Sequence, residues 1–167
     1  MMPLGGRNIK YPLESPSVHI LLCGQSTGHI YEVIREFYPN HVELLTTEEL
    51  LQSTTELATE LNEISNSVTV IPAFTSSSIC ESISIILQKY YELRNRYPLA
   101  KFYFGITGGT NTMVTSVAYA ALIVDVELHY IIKLSEPEGL LDRFIFFKPG
   151  EIFARFNRSA NMGGDLK

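Results

Sequence analysis

The chain has 167 residues, 46% of them hydrophobic and 19% charged, with a formal net charge of -5. One domain with a substantial core fits that size, and the acidic balance excludes a long nucleic-acid duplex as main partner, because duplex affinity rests on many Lys and Arg contacts to phosphate. A small anionic ligand stays open, since helix N-termini and turn N–H groups bind phosphate without net positive charge.

Residues 1–16, MMPLGGRNIKYPLESP, are rich in Gly and Pro and lack periodicity, which predicts a flexible N-terminal segment or linker. VHILLC (18–23) predicts the first strand, GQSTG (24–28) a turn, and HIYEVIREFY (29–38) a helix with Ile30, Val33, Ile34 and Phe37 on one face. HVELLT (41–46) predicts the second strand, and TEELLQSTTELATELNEI (47–64) opens on a Thr and two glutamates that suit a helix N-terminus. SVTVIPAF (67–74) is a β-branched third strand with Pro72 near its end. TSSSICESISIILQKYYELRNRY (75–97) opens on hydroxyl caps, spaces Ile79, Ile83, Ile86, Leu87 and Tyr90 helically, and stops before Pro98.

KFYFGI (101–106) reads as the fourth strand, TGGTNT (107–112) as a turn, NTMVTSVAYAALIV (111–124) as a nearly all-apolar helix, and VELHYIIK (126–133) as the fifth strand. After Ser135 the pattern loosens into a turn, EPEGLLD, then a sixth strand, RFIFFK (143–148), and a tail over 151–167 whose polar end frays. The domain proper therefore spans 17–150.

Regular alternation of this kind predicts parallel βαβ units: an α/β, doubly wound, mainly parallel Rossmann-like sheet in three layers, of order 3-2-1-4-5 with the sixth strand added. The helix at 111–124 is apolar nearly all round, so its outer side is expected to be covered by a second subunit, giving a homodimer. In the 3-2-1-4-5 order the first and fourth strands are neighbours and the chain reverses between them, leaving a crevice at their carboxyl ends. The turns that follow those two strands, GQSTG and TGGTNT, are the chain's glycine-containing, hydroxyl-rich strand-to-helix turns.

Gly108 and Gly109 permit backbone conformations closed to other residues and remove side chains that would hold a ligand away from peptide N–H groups. Thr110 and Asn111 cap the following helix and point donors outward; Gly24, Gln25, Ser26, Thr27 and Gly28 do the same beside the helix that begins near His29. The plain alternative is that each turn is an ordinary βα turn with ordinary caps. TSSS (75–78) forms a third candidate wall, in which Thr75 and Ser76 reach a base or simply cap a helix. The spacings GxGxxG and GxxxxGK[ST] are absent, so neither a dehydrogenase nor a P-loop enzyme is supported.

Cys23 and Cys80 stand too far apart for a paired metal knuckle and read as buried free thiols. With no signal peptide in view, the expected compartment is the reducing cytoplasm. The most apolar stretch, Met113 to Val124, falls short of the roughly 20 residues that span a bilayer. His19 and His129 lie inside strands as packing residues, His41 begins a strand at the surface, and no histidine pair has metal-site spacing, so neither a metal nor a cofactor is expected. Glu48, Glu49, Glu56, Glu60 and Glu63 form the wet face of a helix, and Arg94 and Arg96 a favourable helix end.

A strand ending in ITGGT, followed by a polar residue, a nearby Met113 and a small apolar helix, resembles the signature of CARF domains, the CRISPR-associated Rossmann-fold sensors of type III systems. CGQSTGHI is similar to the family's other ligand-contacting loop, and the resemblance covers residues 17–133. It implies a cyclic oligoadenylate, most simply cyclic tetra-adenylate, bound across a homodimer axis by the two turns, Thr107 included, and Met113, with Thr75 and Ser76 as the candidate third wall read from the residues above. It also implies one of two outputs in antiviral signalling. A sensor passes the signal to an effector domain or protein outside these residues. A stand-alone ring nuclease instead cuts the ring by attack of a ribose 2′-OH without metal, with Ser26, Thr27 and His29 as candidate catalytic residues. An unrelated Rossmann-like protein for another nucleotide is the third reading. Where the family often carries Lys or Arg after its glycines, this chain has Asn111, which donates without charge assistance.

Overall fold

A computed structural model describes residues 16–75, 78–132, 144–151 and 154. The lead-in at 1–15, Ser76, the turn at 136–142 and most of the expected tail lie outside the described residues. The elements run β1 (Ser17–Leu22), α1 (Gly28–Phe37), β2 (His41–Thr47), α2 (Leu51–Leu61), β3 (Val68–Phe74), α3 (Ile79–Arg96), β4 (Lys101–Gly105), α4 (Asn111–Val124), β5 (Glu127–Ile131) and β6 (Phe144–Phe147).

They form one sheet of order β3-β2-β1-β4-β5-β6. The first five strands are parallel and β6 closes the edge antiparallel to β5. This is the expected order, sixth strand included. Both faces of the sheet are covered, which is why β1 reads as a continuous apolar run. Val18, Ile20 and Leu22 point into one core with Phe104, Ile86 of α3 and Val117 of α4. Leu21 and Cys23 point into the other with Ile30, Val33 and Ile34 of α1 and Ala58 and Leu61 of α2. Each fully buried Leu or Ile contributes about 1.5–3 kcal/mol relative to an exposed one, so these two cores hold the strands in register.

Several local expectations shift. Helix α2 begins at Leu51, because Thr47 continues β2 and pairs with Phe74 across a register shift after Thr46. The α3 cap is Ser78, whose hydroxyl accepts from the Glu81 N–H, while Thr75 donates to the Glu81 carboxylate. Cys23 is buried but Cys80, on the outer side of α3, is exposed.

His41 is fully buried: its Nδ1 lies 2.9 Å from Ser67 Oγ, and its Nε2 faces Glu43 and Thr69. It begins β2 beneath Tyr97, whose ring lies tilted against it at 5.5 Å, rather than at the surface. Arg94 donates to the Ala100 carbonyl and covers the Phe102 ring, so it ties the end of α3 to β4. On the outer edge of the sheet, β3 carries Pro72 in register with Thr46.

Candidate functional site

The reversal point lies between β1 and β4, which pair in parallel from Ser17↔Lys101 to Leu21↔Gly105. Their carboxyl ends release the two glycine turns side by side. A Cβ on Gly24 would lie 3.3 Å from both the Cα and N of Gly109, so the two turns are in backbone contact. Gly108 and Gly109 have φ of 79 and 76, the left-handed region that glycine enters at least cost. Beneath Gly109 lie the Met113 side chain and the Leu22 methyl; beneath Gly108 lies the His29 ring.

The second turn is held from below. Thr110 caps α4: its hydroxyl accepts from the Met113 N–H, while its own N–H donates to the Met113 sulfur at 3.4 Å. Thr107 accepts the Ile131 N–H at 2.8 Å and so fastens the turn to β5. Asn111 opens α4 with its side chain exposed, next to the exposed Thr112. The first N–H groups of a helix lack intrahelical partners. Asn111 and Thr112 therefore present donors at the positive end of the α4 dipole.

The first turn is less tied down. Thr27 occupies the α1 N-cap, yet its side chain makes no capping bond. Gln25, Ser26 and Gly28 are exposed. Gly28 has no left-handed φ, and a Cβ there would meet nothing within 4 Å. Neither backbone conformation nor packing among the described residues accounts for that glycine.

A cleft of about 320 Å³ adjoins the second turn, lined by Thr110, Thr112 and Met113 on one side. Thr75 and Ser78 close it from β3 and α3, and Thr47 and Glu49 from the end of β2. Hydroxyls therefore face apolar groups such as Phe74 and Ile79 across it, a mixed lining that suits a planar heterocycle carrying polar edges. Among the described residues, neither the two turns nor this cleft holds a lysine or arginine. Glu49 is solvated, and hydrogen bonds from its own backbone and from Thr47 hold its carboxyl below the usual range.

The structure thus brings Gly24, Gly108, Gly109 and His29 together at one junction, and Thr75, Thr110 and Met113 at the adjoining cleft. Thr47, Glu49, Ser82 and Ser116 also line that cleft and were not legible as site residues. The signal for the two serines was a small hydroxyl on a helix face turned toward the sheet. His29 is 8% exposed, with Nε2 donating to the Leu22 carbonyl at 2.7 Å, so that nitrogen is already engaged.

Deeper on the α1 side of β4, His19 and His129 share a 3.3 Å hydrogen bond inside a shell of Phe37, Tyr103, Phe144 and Phe146. Burial pushes both imidazoles toward the neutral form, His129 to about 3. The thiol of Cys23 is raised by burial, against a smaller opposing effect of Thr54, which marks it as inert. No group of three or more potential metal ligands exists among the described residues, and no described helix is long and apolar enough to cross a membrane.

On the outer face of α4, Tyr119 and Ile123 are 55% and 59% exposed, with Leu122 beside them. The apolar character expected to be covered on that side is therefore present and uncovered in the single chain.

No protein-family model and no curated protein sequence matches the chain. Solved structures share its fold. Csm6 from Enterococcus italicus bound to cyclic hexa-2'-fluoro-hexa-dAMP is 16% identical with a TM-score of 0.59, over 71% of this chain and 34% of that one. Protein VC1899 from Vibrio cholerae is 13% identical with a TM-score of 0.62, over 70% and 30%. Can2 from Sulfobacillus thermosulfidooxidans in complex with cyclic tetra-adenylate is 13% identical with a TM-score of 0.51, over 70% and 32%. At these identities the likeness is one of fold, and the chain spans about a third of the length of each structure it matches.

Proposed function

We propose that the chain is a CARF-type sensor domain of type III CRISPR signalling that binds a cyclic oligoadenylate, with cyclic tetra-adenylate the preferred ring, across a homodimer axis. The observation that carries this reading is the backbone contact of Gly24 with Gly109 at the sheet's reversal point. It merges two glycine turns into one donor surface, in a fold shared with two structures whose names record a bound cyclic adenylate. Gly28 adds support, because its missing side chain leaves open space that none of the described residues uses.

In this reading the N–H groups that open α1 and α4, with the hydroxyls of Ser26, Thr27 and Thr110 and the Asn111 amide, take the ring's phosphates. The cleft walled by Thr75 and Met113 takes a base. Two-fold symmetry presents the same donors twice, so few groups per subunit suffice. The exposed Tyr119, Leu122 and Ile123 stripe of α4 supplies the face that meets the second subunit. The bound ring then biases that interface, and the signal passes to an effector beyond these residues.

One feature favours the ring-nuclease reading as a second possibility: the Thr27 hydroxyl sits at a helix N-terminus without capping it. In that reading it stabilises charge on a phosphoryl oxygen while the substrate's own 2′-OH attacks. Incubation of the purified protein with cyclic tri-, tetra- and hexa-adenylate without added metal, followed by binding measurement and chromatography, tests both. An intact bound ring supports the sensor and linear products with a terminal cyclic phosphate support the nuclease. Binding of no ring refutes the assignment.

A further inference from the structure

His29 follows the first turn in sequence, but its ring lies under the second. Its Nε2–H donates to the Leu22 carbonyl, the last of β1. The edge of the ring occupies the space a side chain on Gly108 would need, with Cε1 2.8 Å from that Cβ position. The Leu22 side chain in turn lies 3.3 Å from the corresponding position on Gly109, and Gly109 touches Gly24. These contacts close a circuit from the end of β1 through α1 to the start of α4 and back.

We propose that His29 is a positioning residue, a clasp that fixes the spacing of the two turns so that Gly24–Gly28 and Thr107–Thr112 move as one body. An imidazole suits the task. It is thin enough to lie beneath a glycine, and it carries a donor at its far end that reaches a strand carbonyl. Because α4 starts in the second turn, displacement of the first turn by a ligand is carried by this ring to α4. The proposal rests on the reading of the turns as the ligand surface, and it deepens that reading by naming what makes them one surface.

Amide hydrogen exchange of the full chain without ligand tests it, comparing wild type with His29→Ala and His29→Gln. In His29→Ala the amides of both turns exchange about tenfold faster or more, while those of β2 and β3 keep their rates. His29→Gln retains a donor for Leu22 but places no ring under Gly108, so it loosens residues 107–112 alone. Unchanged exchange in either turn of His29→Ala, or an equal rise in β2 and β3, overturns the proposal. If His29→Ala does not fold, His29→Gln decides: selective loosening of 107–112 upholds the clasp and its absence overturns it.

A double-mutant cycle supplies a readout that general destabilisation would not move. Gly108→Ala costs less in the His29→Gln background than in wild type, since the ring that the new methyl strikes is gone; equal costs overturn the proposal. Titration with cyclic tetra-adenylate separates this inference from the proposed function. If wild type binds no cyclic adenylate, the function falls while the exchange pattern is judged by itself. If wild type binds, and His29→Ala binds equally tightly with both turns loosened, the clasp between the turns stands but its role in holding a ligand surface is refuted, while binding of the ring itself stands.

Discussion

Gly28→Ala separates a ligand surface from an ordinary helix start, because it drives stability and binding in opposite directions. Residue 28 opens α1 without a left-handed φ, and an added Cβ meets none of the described residues within 4 Å. Alanine there narrows the unfolded ensemble at no steric cost in the fold, which stabilises by about 0.4–1 kcal/mol. For a domain of this size that raises Tm by roughly 1–4 °C.

In the proposed complex the same methyl stands where a ring phosphate approaches the α1 N–H groups. Loss of one hydrogen bond to a charged group costs about 1.5 kcal/mol or more, close to tenfold in affinity. Two symmetric subunits make the loss about a hundredfold. Differential scanning fluorimetry and isothermal titration with cyclic tetra-adenylate measure the two effects. A variant that is more stable and binds as tightly as wild type would refute the placement of the ligand against the first turn.

Other expectations follow from the same geometry. Asn111→Lys, at an exposed position that opens α4, raises ring affinity by about tenfold at low salt and makes it fall steeply with added salt, since charge-assisted hydrogen bonds are roughly twice as strong; a salt-independent affinity contradicts the phosphate role. Thr110→Val removes the hydroxyl that accepts the Met113 N–H and lowers stability by about 1 kcal/mol in urea unfolding, whereas Thr110→Ser does not.

His19 and His129 are held neutral by burial, with folded pKa values below the ordinary histidine range. Below about pH 6.5 the unfolded chain therefore binds more protons, and stability, complete above that pH, declines as pH falls toward the folded values. Between pH 7 and pH 5 the loss from His129 alone is about 2 kcal/mol, and His19 adds to it in the same direction. A urea midpoint that is flat over that range would contradict the neutral pair. Ile123→Asp, on the exposed stripe of α4, halves the mass seen by light scattering if that stripe is the dimer face; a monomeric wild type would remove the interface from the model of binding.

The alternation of strands and helices, their order and the meeting of the two turns were legible, because each rests on local periodicity plus one topological rule. What the one-dimensional pattern could not show was pairing across the sheet. His41 reads as a solitary polar residue at a strand start, and its burial is explained only by Ser67, Glu43 and Thr69 arriving from the same and the neighbouring strand. Thr47 looked like a helix cap because hydroxyls and acids do open helices. Its pairing with Phe74 decided otherwise. Gly28 is the reverse case, a residue whose letter is ordinary in a turn and becomes informative only when the space around it is found empty.

Pro72 bears on how copies of this chain meet. An edge strand offers a row of unpaired N–H and C=O groups on which another strand can add, and β3 is such an edge. A proline has no N–H to give, and its ring interrupts the row within Val68–Phe74, so a foreign strand finds no continuous ladder to zip onto. Growth of the sheet from chain to chain is thereby discouraged on that flank. A second copy that meets the chain there does so through side chains rather than by adding a strand.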